Sequence, residues 1–230
     1  MDDLRRTLRY LMPGAVLLLE AGLLLRITHP TWLARTIGSF PAGIGGATGI
    51  LLGVGALGWI LSQAHHGLLW SSLGPRYGQD FRPFVSHLLR SGRLRLCCHG
   101  SPRCGPDDVT LAGAWRVVQV LWEGALVSLP ETTPEYKTSH EAAQRHTDVV
   151  HALGTSFIAS LGATATWLAV TAHHQESAIR LPLAGFVALL FAALHFANYR
   201  NAREHSTVLE VMVLSLMLRR RGRALMVPSC

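Results

Sequence analysis

The chain has 230 residues, of which 49% are hydrophobic and 15% charged, with a formal net charge of +7. That basic excess is not the footprint of a nucleic-acid binder, because Lys and Arg are sorted around four apolar stretches; anionic lipid is the first partner it implies. The four cysteines all fall on one side of those stretches, the side read below as cytoplasmic, where thiols stay reduced, so no disulfide framework is expected.

The apolar windows run from Leu11 to Ile27, Gly43 to Ala64, Val149 to Ala172 and Leu181 to Ala197. Each is close to the roughly 20 residues that cross a bilayer's hydrocarbon core. The sequence therefore predicts an all-α, polytopic integral membrane protein with four transmembrane helices and cytoplasmic helical extensions. Eighteen of the 21 basic residues lie before the first window, between the second and third, or after the fourth, against Arg26, Arg35 and Arg180 elsewhere. The positive-inside rule then places both termini in the cytoplasm, and the expected location is the cell's inner membrane. The first window follows an Arg-rich lead and has no small-residue cleavage site, so it reads as a retained span.

In chain order, the expected organisation is a first transmembrane hairpin at 1–64, a basic cytoplasmic helical insert at 65–146, a second hairpin at 147–199 and a helical tail at 200–230. Within the first span, Glu20 stands in the middle, where a carboxylate costs a few kcal/mol and so should face the bundle, a water-filled path or a partner. The second span repeats Gly45, Gly49 and Gly53 at four-residue spacing, which lets helix backbones approach closely and points to packing within the chain or to a homo-oligomer. The insert opens with Gly74-Pro75, then a short amphipathic helix from Phe84 to Arg90, a Gly- and Pro-rich loop from Gly100 to Pro106, and a helix from about Val109 to Val127. That last helix carries Arg116, Gln119 and Glu123 on one stripe, and is expected at an interface or in a core. A helix starting near Glu135 should run without a break into the third span. There Ser156, Ser160 and Thr164 form a polar stripe that, with Glu20, would line a pore or pack helices. Another should leave the fourth span, continue through Val208 to Leu218, and end in the basic run Arg219 to Arg223, which suits anionic headgroups.

Three constellations carry possible chemistry. Cys97, Cys98, His99 and Cys104 offer soft ligands, but adjacent cysteines lack the two-residue spacing usual for zinc. Nine of the twelve histidines fall on the cytoplasmic side or at its boundary. Antiparallel spans would gather the ends bearing His65, His66, His146, His151 and His195, where imidazoles hold a transition metal or, in facing pairs such as His65, His151 and His195 allow, a heme. Asp148 would serve there as an oxygen ligand or as an orienting partner. No cofactor is specified by these spacings.

The third constellation is Arg200-Asn201-Ala202-Arg203-Glu204-His205. It resembles the Arg-polar-x-x-x-His motif of HEPN ribonucleases, and membrane proteins carrying such motifs occur as accessories of RNA-targeting CRISPR systems. The resemblance covers six residues, and it implies a composite RNA-cutting site in which His205 is general acid or base and Arg200 stabilises the phosphate. The function expected from the whole sequence is conduction or perturbation of the membrane by a homo-oligomer, controlled through a basic cytoplasmic layer that meets a protein, nucleotide or RNA. The alternatives are an enzyme at the membrane interface, metal-dependent or HEPN-like, and an anchor for a soluble partner.

Overall fold

The computed structural model describes residues 2–39, 43–72, 81–98, 105–107, 109–127, 134–174, 180–221 and 225–229. Among these, seven α-helices dominate: α1 (Asp2–Thr28), α2 (Pro30–Gly38), α3 (Ile44–His65), α4 (Arg82–Arg90), α5 (Leu111–Val127), α6 (Pro134–His173) and α7 (Leu181–Arg221). Four stretches are long and apolar enough to cross a membrane, at Arg9–Thr28, Gly46–Leu69, Arg145–His173 and Leu181–Ser215. The expected pair of long helices is present, with α6 of 40 residues and α7 of 41. At the α-helical rise, each is about 60 Å long, twice a hydrocarbon core.

The chain divides into two compact units. The first comprises residues 1–69 and 148–202 and holds the apolar helices; the second comprises residues 70–147 and 203–230. In the first unit, α1 and α3 cross with their backbones in contact. A Cβ on Gly58 would overlap the Tyr10 carbonyl, and one on Gly14 would overlap the Val54 carbonyl. Gly49 and Gly53 of the expected four-residue stripe do not make this crossing. Gly49 and Gly53 are exposed, and a side chain on either would meet nothing within 4 Å in the chain. Spacing identifies a smooth helix face but does not say which face turns inward.

Burial in this unit is inverted relative to a protein in water. Leu19, Leu52, Phe186 and Leu189 are 64–73% exposed, whereas Glu20, His29, His65, His151 and Ser160 are at most 7% exposed. An apolar cluster of Leu24, Leu25, Trp167, Ala184 and Ala188 fills the unit near the α1–α2 junction, and Trp32 and Leu33 of α2 pack on it. The Trp167 indole there donates to Thr28 Oγ1 at 3.2 Å.

The second unit has a core of its own. Phe81, Val85 and Leu88 from the α4 region, Ala114, Val117, Val118 and Leu121 from α5, and Leu214 from α7 are all buried together. The insert thus builds its core with the tail, and α5, expected at an interface or in a core, is a core helix with Arg116 on its exposed side. One feature departs from an all-helical reading. Leu94–Cys98 (β1) and Leu225–Ser229 (β2) pair as a parallel two-stranded ribbon, Leu94 opposite Leu225 and Cys98 opposite Ser229. Alternation is confined to Leu94-Arg95-Leu96 in the first segment, too short a run to mark a strand, and Pro228 breaks the second. The insert loop is held by Ser86 Oγ donating to the Pro106 carbonyl at 2.8 Å and by an exposed Arg90–Asp107 ion pair at 3.0 Å. Such an exposed pair contributes at most about 1 kcal/mol.

Candidate functional site

The polar interior of the first unit is built on three of its apolar helices. Glu20 on α1 is 7% exposed, and its carboxyl oxygen lies 2.8 Å from Nε2 of His195 on α7. Away from water a lone carboxylate is strongly disfavoured, so the imidazole supplies both a hydrogen bond and a place for the compensating proton. An imidazolium facing a carboxylate and a neutral imidazole facing a carboxylic acid hold the same protons and the same zero net charge. Arg26, the nearest cation in sequence, is exposed and plays no part.

The depth of other polar groups follows from helix register. Arg9 Nη1 contacts Asp148 Oδ1 at 3.0 Å, and Trp167 bonds Thr28; each pair is 139 positions apart. Helices α1 and α6 are therefore parallel neighbours, and the level of Glu20 on α1 is that of about residue 159 on α6. Ser160 stands at that level, completely buried, with no hydrogen-bond partner for its Oγ among the described residues. Ser156, one turn away, is 3% exposed and donates to the Ala152 carbonyl; Thr164 donates to the Ser160 carbonyl. The Phe157 and Phe196 rings, 5.3 Å apart, join α6 to α7 beside His195.

A second group lies at the far end of α3, where its α-helix gives way to a π-helical turn at His66–Ser72. Such wide turns are rare and recur at functional sites. His65 is fully buried; its Nδ1 is 3.4 Å from Nδ1 of His151, which is 4% exposed. His66 stacks on the His151 ring with centroids 4.4 Å apart, and the Tyr199 ring meets His65 edge-on at 5.7 Å. Two facing Nδ1 atoms share at most one proton, so one ring donates while the other accepts. Gly154, one turn after His151, makes room: a Cβ there would overlap the His65 ring and press on Tyr199.

The sequence-predicted residues thus separate. His65, His66 and His151 come together, while His195 belongs to Glu20 and His146 is exposed on the part of α6 that falls in the second unit. Asp148 pairs with Arg9 and not with a histidine. Among the described residues, no three His, Cys, Asp or Glu side chains are grouped to hold a metal ion. Cys97 and Cys98 lie in β1, and His99, Cys104 and Cys230 fall outside the described residues. Arg200 and His205 are both exposed on α7. Gly45 lies in α3, but its surroundings are outside what is described. Sequence reasoning missed Tyr199 and Gly154. Tyr199 follows His195 by four positions and Gly154 follows His151 by three, the spacings that place residues on one helix face.

No family model, curated protein or solved structure matches this chain.

Proposed function

We propose that the chain is a multi-pass inner-membrane protein, with both termini cytoplasmic, that assembles as a homo-oligomer and conducts ions through its polar interior. The observation that carries this reading is the Glu20–His195 pair inside the apolar helices. An ionisable pair there costs several kcal/mol that a mere anchor has no need to spend, and such groups mark ion pathways. Ser160 lines the same interior at the same level, with Ser156 and Thr164 one turn to either side. The exposed face at Gly49 and Gly53 supports contact with a second copy, because no side chain stands in the way of close approach. The basic insert and tail supply the cytoplasmic layer for anionic lipid or a regulatory partner.

Flux across liposomes carrying the purified protein tests this. Glu20→Gln should lower flux at least tenfold, whereas His205→Ala should leave it unchanged. Sealed vesicles under every condition, together with RNA cleavage that depends on Arg200 and His205, would replace conduction by nuclease chemistry.

Orientation is tested separately by single cysteines on a cysteine-free background. An impermeant thiol reagent added outside should label positions 30 and 175 and leave position 100 untouched until the membrane is opened. Labelling of position 100 from outside would reverse the topology.

A further inference from the structure

We propose that the conducted ion is the proton, and that it reaches the Glu20–His195 pair only from the His65–His66–His151 end, through Tyr199. This rests on the conduction reading above and names its substrate and its entry route.

The first unit's groups that can exchange a proton include Tyr10 and Glu20 on α1, His65 and His66 at the end of α3, Asp148, His151 and His173 on α6, and His195 and Tyr199 on α7. Six of these form one line. His66 is partly exposed and stacks on His151; His151 faces His65 Nδ1 to Nδ1; His65 touches the Tyr199 ring. On α7, Tyr199 has His195 one helical turn back, about 6 Å along the axis, and the buried Arg203 one turn on, so the imidazole is the neighbour on that helix that can take its proton. His195 in turn bonds Glu20. As far as Glu20 the line is imidazole and phenol, groups that exchange protons with their neighbours and do not form the ring of oxygens a dehydrated metal cation needs; of the hydroxyls beside it on α6, Ser156 and Thr164 are committed to backbone carbonyls.

The line stops beyond Glu20. On α1 the next inward residues are Leu24 and Leu25, packed with Trp167, Ala184 and Ala188. That layer holds no side chain that carries a proton except the Trp167 N–H, which is committed to Thr28. It separates Glu20 from His29, which bonds Thr171 at 3.0 Å near the α1–α2 junction. The polar line is thus open at one end and closed at the other by an apolar layer, which acts as the gate.

A proton from water adds to one ring nitrogen of the histidine group, and the opposite nitrogen releases another. The Tyr199 hydroxyl takes it on its oxygen and passes its own proton to His195, and Glu20 carboxylate becomes the acid. Every carrier keeps its proton count once Glu20 releases the proton, and after an onward release the rings and the hydroxyl turn back before another proton follows. The charged groups near this line are the Arg9–Asp148 pair between α1 and α6 and, on α7, the exposed Arg200 next to Tyr199 and the buried Arg203 one turn beyond it; α3 presents none.

The test uses the full chain in liposomes loaded with a pH-sensitive dye, with potassium and chloride followed in parallel. Proton flux should exceed both, fall at least tenfold in Tyr199→Phe, which keeps the ring and removes the hydroxyl, and rise several-fold in Trp167→Ala, which thins the apolar layer. Potassium or chloride flux without proton flux would overturn the proton and keep the channel. Proton flux indifferent to Tyr199→Phe would overturn the route, and no flux of any ion would overturn both. Infrared difference spectra of wild type against Glu20→Gln in nanodiscs give a readout that needs no open gate. A protonated-carboxyl band assigned to Glu20 should appear on an acid jump, and should appear more slowly in Tyr199→Phe. A Glu20 band that ignores pH altogether would sink the proposal.

Discussion

Gly58→Leu is expected to eliminate folded protein. The α1–α3 crossing brings the Tyr10 carbonyl so close to Gly58 that even a methyl group would overlap backbone, not the yielding tip of a side chain. Overpacking ordinarily costs about 1–3 kcal/mol, and more where backbone must move. Since a native fold is stable by only about 5–15 kcal/mol, and this crossing anchors the first two spans to each other, little stable material should survive. The companion variant Gly49→Leu, one face away on the same helix, should fold normally, because its side chain meets nothing in the chain. Gel filtration in detergent and native mass spectrometry separate the two outcomes: loss of monodisperse protein for Gly58→Leu, and a folded but smaller particle for Gly49→Leu. An unchanged oligomer in Gly49→Leu would mean that this face meets lipid only.

The second large effect is expected at His195. His195→Leu leaves the Glu20 carboxyl buried with nothing to bond, and removing one member of a buried pair typically costs about 3–5 kcal/mol. The thermal midpoint in detergent should drop by well over ten degrees or the protein should fail to accumulate. Adding Glu20→Leu should restore most of that loss, since two apolar side chains replacing a buried pair are often neutral or stabilising. The double variant should nevertheless be silent in flux. Full stability in the single variant would show that Glu20 finds another partner, and recovered flux in the double variant would remove the pair from the conduction path.

Four apolar windows and two long helical extensions are legible in the sequence because length and periodicity are local properties. The α4 and α5 helices could be placed for the same reason. What escaped is non-local. Glu20 was recognisable as an inward-facing group, but its partner is 175 positions away, and nothing in the order of residues prefers His195 over any other imidazole. His195 therefore read as one member of a histidine layer, although only His65, His66 and His151 meet. Asp148 likewise read as a companion to those rings, while the parallel register of α1 and α6 delivers it to Arg9. The parallel β1–β2 ribbon joins segments more than a hundred residues apart, too short and too irregular to announce themselves.

The α1–α3 crossing also constrains motion. At Gly14 and Gly58 nothing separates the two main chains, so the helices have no slack there to draw apart or to press closer. What remains is swivelling about the point of contact. Such a contact behaves as a fulcrum: a small change of angle is magnified with distance along α1. Position 14 is one turn and a half from Glu20 and about three turns from Leu24 and Leu25 by helical pitch, so the apolar layer sits at the end of the longer arm. A rotation that barely disturbs the hydrogen bond to His195 would displace that layer about twice as far.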